Sequence, residues 1–428
     1  MFVCGPTVYG PMHLGHARTY ISFDLVYRLL KSLGYHVHYI QNVTDVGHLT
    51  DDADQGEDKI IKEAIRQGRD PGEIATFFFE EHKKEMQALG NLEPEYHRAT
   101  DYIPQIIEFT QSLIEKDFAY EVEGNVYFAL DKFPQYGELS GHRKEEQLKN
   151  ARLKRDPKKK SPYDFALWLK APADYLVAWD SPWGRGFPGW HIEDSAIIRT
   201  VFGNKTIDIH GGAIELAFPH HENEIAQFEA LTGEKQARFW LHTGLLLVGG
   251  EKMSKSKNNF VTVKELLERF PKQIIRLWVF RSHFRSPIDF NEEDLEQARL
   301  TWKKIERVFF LTREEGKVLS DYQTRLREAL LDNFNTPQFL SVLHEMLDRE
   351  SFKAEEVKAT LLAFDEILGL DLGGIDTRVP REIAQLVERR EAERKKGNFD
   401  FADTIRSELL EKGWQVDDTP SGPVTYPK

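Results

Sequence analysis

Cysteine is almost missing from this chain of 428 residues: Cys4 is the only one. An intramolecular disulfide framework is therefore excluded, and the thiol is left for other chemistry. Apolar runs are short, none approaching the roughly 18 residues of a membrane helix, and the N-terminus lacks the pattern of a signal peptide. No membrane partner is expected, and the compartment reads as cytoplasmic. An excess of positive charge is missing too: 57 Lys and Arg face 70 Asp and Glu, for a net charge of −13. That sum argues against nonspecific binding to nucleic acid, although local clustering matters more than the total. No internal repeat or low-complexity tract stands out. What is present, 40% hydrophobic and 30% charged residues, is enough to bury a sizeable core divided into roughly two to four domains.

Two short words carry the chemistry. His13-Leu14-Gly15-His16 opens a long helical pattern just after Gly5-Pro6-Thr7, and Lys252-Met253-Ser254-Lys255-Ser256 lies in a Gly, Ser and Lys-rich segment from Gly249 to Asn259. A helix N-terminus offers unpaired N–H groups and partial positive charge to phosphate. Gly15 leaves no Cβ between the two histidines, so a nucleotide can approach the backbone. Lys252 and Lys255 would close over the triphosphate from the other side, where positioning and charge stabilisation do most of the work of nucleotidyl transfer. Together the words describe a split ATP site.

Their order resembles the signatures of class I aminoacyl-tRNA synthetases, and the residues between them resemble the cysteinyl-tRNA synthetase family. The resemblance covers nearly the whole chain: Cys4-Gly5-Pro6-Thr7-Val8-Tyr9, Asn42-Val43-Thr44-Asp45, Asp164-Phe165-Ala166-Leu167-Trp168, Trp179-Asp180-Ser181-Pro182-Trp183-Gly184, Gly189-Trp190-His191-Ile192-Glu193, Asp208-Ile209-His210-Gly211-Gly212 and Phe218-Pro219-His220-His221-Glu222-Asn223-Glu224. It implies ATP contacts at Gly5, Thr7, Gly15, His16, Ser254 and Lys255, with His13, His16, Lys252 and Lys255 catalytic. It implies substrate contacts at Thr44 and Trp190, the indole walling in a small amino acid.

The resemblance also implies a zinc ion that binds the substrate thiolate, held by Cys4, Asp194, His220 and Glu224. The family typically has cysteine where this chain has Asp194. Aspartate keeps the charge of the thiolate it replaces and binds zinc through oxygen at about 2.0 to 2.2 Å, but it is a harder donor, and the alternative reading is a site without metal in which Asp194 is only hydrogen-bonded. His220 and Glu224, at i and i+4, are expected on one helix face with Pro219 in the first turn. His221 should then point about 100° away, orienting a ligand, touching nucleotide or lying against the sheet. Glu222 reads as a solvated or outer carboxylate. The family usually carries a further stretch before the Cys4 strand, so a shortened start or a short first strand is expected.

The pattern predicts an α/β fold: a doubly wound parallel-sheet, Rossmann-like catalytic domain with an inserted connective domain, followed by an α-helical bundle. The expected divisions are 1–93 and 184–248 for the two catalytic halves, 94–183 for the insertion, 249–291 for the lysine loop and stem-contact region, 292–412 for an anticodon-reading bundle and 413–428 for an extended or loop-like tail. Strands are expected at His36 to Val43, Thr206 to His210 and Phe239 to Val248, with Gly34 stopping the first helix. Trp302, Ile305, Val308 and Phe309 read as bundle core. Asp51, Asp52, Asp54 and Asp58 read as a flexible acidic surface loop, their order not matching a calcium-binding loop. A basic run from Arg143 to Lys160 and a cluster at Arg389, Arg390, Arg394, Lys395 and Lys396 with Trp414 are candidates for tRNA phosphates and anticodon bases.

The expected activity is two-step ligation. Cysteine carboxylate attacks the α-phosphate of Mg²⁺-ATP, and the terminal ribose of tRNA(Cys) then takes the cysteinyl group. The partners are tRNA(Cys), ATP and L-cysteine, the expected state a monomer. Two alternatives share the core: the cysteine ligase of mycothiol biosynthesis, and a synthetase-like paralogue that no longer aminoacylates.

Overall fold

A computed structural model describes residues 1–49, 56–142, 157–253, 259–419 and 422–428. In chain order its elements are β1 (Phe2–Val3), α1 (Leu14–Ser32), β2 (Ile40–Val43), α2 (Lys59–Gln67), α3 (Pro71–Ala88), β3 (Glu95–Arg98), α4 (Ile103–Glu115), β4 (Ala119–Val122), β5 (Asn125–Phe128), β6 (Phe165–Lys170) and β7 (Gly186–Pro188). There follow α5 (Trp190–Phe202), β8 (Ile207–Ala213), α6 (Glu222–Thr232), β9 (Ala237–Thr243), β10 (Leu246–Val248), β11 (Glu251–Lys252), α7 (Val263–Arg269), α8 (Lys272–Phe280) and β12 (Ile288–Phe290). The C-terminal part holds α9 (Glu292–Leu311), α10 (Ser320–Leu331), α11 (Thr336–Leu347), α12 (Ala354–Leu368), α13 (Arg381–Lys395), α14 (Phe399–Glu411), β13 (Trp414–Thr419) and β14 (Gly422–Pro427).

The central sheet has the order β3-β2-β1-β8-β9, with every pairing parallel. Strands are added to one side of β1 in the first half and to the other side in the second, so the order reverses between β1 and β8. In an open parallel sheet that reversal opens a crevice beyond the strand ends. Helix α1 lies across it. Leu14, Ala17, Tyr20, Ile21, Leu25 and Leu29 join the core shared with the C-terminal helices, while Phe23 and Val26 pack toward the sheet. Two buried faces explain why α1 is apolar almost all round. Leu33 caps it and Gly34 follows at φ 89°, as the sequence predicts for a stop.

Three expectations change. Residues 36–39 are not strand: the ladders to β1 and β3 both start at Ile40, and before it the described residues carry only single backbone bonds, from Met1 N to His38 O and from Glu95 N to Tyr39 O. The edge at residue 94 falls just before β3, which belongs to the parallel sheet, while the insertion's antiparallel sheet β4-β5-β6-β7 runs past 183 to Pro188. Phe239 to Val248 is two strands: β9 ends the parallel sheet at Thr243, and β10 pairs with β11 and β12 in a separate small sheet.

Helices α9 to α12 form the bundle core with Trp302, Ile305, Val308 and Phe309 buried, as their spacing predicts. Helices α13 and α14 close a smaller core with Val416 of β13. Of the two readings for the tail, extended or loop-like, the described residues take the extended one, as the antiparallel hairpin β13–β14, which Arg307 of α9 grips through Asp417 at 2.5 Å.

Candidate active site and metal centre

Gly5 shows how closely the chain packs at the end of β1. A Cβ there would fall 1.8 Å from the Asn42 carbonyl oxygen, so only glycine fits between the strands at this point. The chain then turns through Thr7 to α1, whose N-cap is His13. The two imidazoles cap reciprocally: His16 N–H donates to His13 Nδ1 at 3.3 Å and His13 N–H to His16 Nδ1 at 3.4 Å, with the rings stacked 3.6 Å apart. A Cβ on Gly15 would lie 3.0 Å from the His13 ring. That glycine makes room for the N-cap imidazole. Desolvation pushes His16 down to about 4, so at neutral pH it is an uncharged imidazole.

The second word reaches the same place. A cavity of about 280 Å³ is lined by Cys4, Gly5, Thr7, His13, Gly15, His16, Trp190 and Lys252, among others. Lys252 Nζ sits 3.0 Å from a carboxylate oxygen of Glu215, another lining residue. Backbone bonds from Leu14 N to Val261 O and Val263 N to Met12 O, both 3.0 Å, fasten the far end of the lysine segment to the start of α1. Ser254 and Lys255 lie outside the described residues.

Cys4 ends one wall of this cavity and begins a buried polar cluster. Its thiol donates to Asp194 Oδ2 at 3.3 Å and lies 4.0 Å from Glu224 Oε1. His220 Nε2 is 3.0 Å from Asp194 Oδ2 and 3.3 Å from Glu224 Oε1. The four donor atoms lie within 4.8 Å of one another, all on buried residues. Ligands about 2.0 to 2.3 Å from a tetrahedral ion stand roughly 3.3 to 3.7 Å apart. The contacts therefore suit a divalent ion, and a second carboxylate oxygen, Asp194 Oδ1, is buried with no partner among the described residues. Burial and the carboxylates of Asp194 and Glu224 push the Cys4 thiol well up. A cation at this point would reverse that and take the thiolate.

Both adjacent histidines reach the cluster. They sit in a wide turn, Ala217–His221, ahead of α6, not on a regular helix led by Pro219. His221 approaches from the sheet side, Nε2 3.2 Å from Cys4 Sγ and Nδ1 2.8 Å from His242 Nε2. At Gly212 beneath it, a Cβ would stand 2.9 Å from Leu216 Cδ1 and in ordinary contact, 3.4 Å, with the His221 ring. His210 on β8 completes a second set with Cys4, His221 and Glu224, its Nε2 2.8 Å from Glu224 Oε2. Burial lowers His210 to about 3 and His242 to about 4, so both are neutral.

The family described as tRNA synthetases class I (C) catalytic domain matches residues 1–300. Cysteine–tRNA ligase of Chlorobaculum tepidum is 40% identical over 99% of this chain and 93% of its own length, and that of Thermococcus onnurineus is 41% identical over 99% and 94%. The chain belongs to the cysteine–tRNA ligase family. Among solved structures, a Mycobacterium tuberculosis methionyl-tRNA synthetase bound by methionyl-adenylate aligns at TM-score 0.61 and 14% identity, covering 87% of this chain and 93% of its own. A ternary complex of an Agrobacterium radiobacter LeuRS with tRNA and LeuAMS aligns at TM-score 0.62 and 10% identity, covering 88% and 84%. At those identities the likeness is one of fold.

Within that family frame the remaining expected residues fall in varied places. Trp190 lines the cavity, its indole between the His48 ring at 4.3 Å and the His220 ring at 4.4 Å. Thr44 is buried behind the wall and donates to Glu193 Oε2 at 2.9 Å. Glu222 is not solvated: it accepts from Gly137 N at 3.0 Å and Ser140 N at 2.7 Å, bracing a loop of the insertion. Asp58 is not a surface acid either, because it caps α2 and accepts the Tyr175 hydroxyl at 2.7 Å. Asp51, Asp52 and Asp54 lie outside the described residues.

His48 escaped notice in the sequence. It is buried, lines the cavity, and bonds Thr7 Oγ1 at 2.6 Å and Lys59 Nζ at 2.7 Å. Only its nearness to Asn42-Val43-Thr44-Asp45 hinted at this. In the basic run, residues 143–156 lie outside the described residues, while Lys159 and Lys160 cover Tyr127 and Tyr120. At the far end, Arg390 is buried against Asp418 at 2.9 Å, so it holds the hairpin and is not presented to a ligand. Arg389 lies over the ring of Phe401, which with Phe399 is exposed, whereas Trp414 packs edge-on to Phe310.

Proposed function

We infer that this chain activates L-cysteine with Mg²⁺-ATP and transfers it to the 3′ end of tRNA(Cys). The observation that carries the reading is the single cavity shared by His13, His16 and Lys252, with Cys4 at its inner end. In the first step the cysteine carboxylate displaces pyrophosphate from the α-phosphate. Backbone N–H groups at the start of α1 and the His13 and His16 imidazoles donate hydrogen bonds to the phosphates, while Lys252, and Lys255 three residues on in sequence, neutralise charge on the leaving pyrophosphate. In the second step the terminal ribose hydroxyl attacks the activated carbonyl and AMP leaves.

Cys4, Asp194, His220 and Glu224 are the residues that would hold zinc, which supplies a Lewis-acidic centre with affinity for a thiolate and little for an alcohol. Trp190 would fix the small side chain between this cluster and the nucleotide. A site built to bind one heteroatom rejects the analogue that cannot supply it by about 10⁴-fold or more. The exposed Phe399 and Phe401 with Arg389 suit stacking on unpaired bases, and the lysines at 158–160 suit phosphate. The bundle helices bury their apolar stripes in one core within the chain, a packing that suits a monomer. No described helix is long and apolar enough to cross a membrane, and we place the enzyme in the cytoplasm.

ATP–pyrophosphate exchange dependent on cysteine tests the first step, and charging of tRNA(Cys) transcripts the second. Exchange without charging, together with transfer to a sugar amine, would instead assign the chain to mycothiol synthesis. Absence of exchange with intact nucleotide binding would make it a non-aminoacylating paralogue.

A further inference from the structure

We propose that Arg18 is a positioning residue that sets the distance between the histidine pair and Lys252. It lies on α1 two residues beyond His16, is 2% exposed, and borders the cavity. Its guanidinium is spent on backbone carbonyls: Nη1 donates to Gly244 O at 2.6 Å and Leu245 O at 3.0 Å, and Nη2 to Phe284 O at 3.4 Å and to Ser286 O.

Those four carbonyls have one thing in common. Gly244 and Leu245 lead into β10, and the 284–286 segment leads toward β12, its parallel neighbour in register Leu246↔Ile288. The other edge of β10 pairs Leu247 with Lys252. One side chain thus gathers the entries to β10 and β12, two of the three strands of the small sheet whose third, β11, carries the lysine, and ties them to the helix whose first turn carries the histidines. The approach is close: Gly244 N donates to Phe284 O at 2.7 Å, and a Cβ at Gly244 would stand 2.3 Å from Ser286 O. Thr19 Oγ1 and Thr243 Oγ1, 2.9 Å apart, add a contact at the same seam. The far end of the lysine segment is already fastened to the start of α1 through Met12, Leu14 and their backbone partners, so Arg18 supplies the anchor at the near end. A planar fork with donors on two nitrogens can serve four acceptors at once, which a single ammonium at the end of a flexible stem cannot do in the same geometry.

The proposal rests on the nucleotide-site reading given above, and its test separates the two. Cysteine-dependent pyrophosphate exchange is measured for the full chain carrying Arg18→Lys, Arg18→Met, Lys252→Ala and each pair, with rates normalised to folded protein by near-UV circular dichroism. Both Arg18 variants are expected to lose roughly 10- to 100-fold in kcat, as misplacement by about an ångström does, with KM for cysteine within about twofold of the parent. Lys252→Ala should then cost far less in either Arg18 background than in the parent, because contacts acting as one unit are not additive. Arg18→Lys keeps the charge, so it carries the test if Arg18→Met does not fold. Full activity of Arg18→Lys, or an undiminished Lys252→Ala loss in its background, overturns the positioning role alone. A harmless Lys252→Ala in the parent overturns the nucleotide-site reading beneath it.

Discussion

Asp24 and Arg276 meet in the interior at 2.6 Å, with side-chain exposures of 1% and 0%. Asp24 belongs to α1 and also accepts from Arg28 Nε at 2.7 Å and Leu92 N at 2.8 Å. Arg276 belongs to α8 and donates to Leu368 O at 2.8 Å and Asn91 Oδ1 at 2.9 Å. The helix that carries the His13 and His16 pair, the approach to β3 and the end of α12 are thereby held at one point.

Removing Arg276 leaves Arg28 as the one cation paired with the buried Asp24 carboxylate among the described residues, and takes the donor from the Leu368 and Leu89 carbonyls. Arg276→Met is expected to lower the unfolding free energy by roughly 3 to 5 kcal/mol in urea titrations. Arg276→Lys should recover only part of that, since one ammonium cannot reproduce the fork. A loss below about 1 kcal/mol for Arg276→Met would place the pair among weak surface contacts instead.

Glu85 gives a pH dependence of definite sign. Its carboxylate accepts from Met12 N at 3.3 Å, beside the histidine turn, yet burial raises it to about 7. The folded protein therefore holds this proton more tightly than the unfolded chain, where a glutamate titrates near 4.3. Stability from this group is complete below about pH 4 and declines until pH passes 7. Glu85→Gln keeps an acceptor for Met12 without the charge, and should raise the melting temperature by roughly 1 to 3 °C at pH 8 with no gain at pH 4. An equal shift at both pH values would show that ionisation is not the cause.

The elements easiest to anticipate from sequence were those whose signal is local. Helix α1 carries its own apolar period and its glycine stop, and the bundle helices behave alike. Strand ends were less legible because pairing depends on how far a distant partner extends, as residues 36–39 show. The metal cluster was half legible. His220 and Glu224 lie four apart on one segment, but His210 joins through β8 and His221 through a turn no helical period describes. His48 and Arg18 were missed for a related reason: their partners, Trp190 and the 244–286 carbonyls, are far away in sequence. Arg390 went wrong in the opposite direction, because a basic residue in a basic run looks exposed until Asp418 is seen against it.

Lys252 is exposed, and among the described residues its ammonium pairs with Glu215, so its loss should leave the fold intact. Lys252→Met is expected to slow cysteine-dependent exchange by roughly 100- to 1,000-fold, the range for a group that stabilises charge in the transition state, with an unchanged melting temperature. Glu215→Gln removes the competitor for the ammonium and should lower KM for ATP. A rise in that KM would mean that Glu215 places the lysine rather than restraining it.

Asp194 decides what the buried cluster binds. Purified protein should carry about one zinc per chain in mass-spectrometric metal analysis, with affinity that rises with pH because the Cys4 thiol, held well up by burial and its carboxylate neighbours, must give up its proton. Asp194→Ala removes a ligand, and the drop in chelator-competition affinity should exceed the roughly 10- to 100-fold cost of losing a group that only supports one. Asp194→Cys substitutes a softer donor and should bind zinc more tightly, while shifting the preference away from oxygen-seeking ions such as manganese. Rejection of serine in the exchange assay should survive that change, since thiolate affinity belongs to the ion and Trp190 is untouched. Were Asp194→Ala to keep its metal at parental affinity, the second set, Cys4, His210, His221 and Glu224, would be the ligand group in its place.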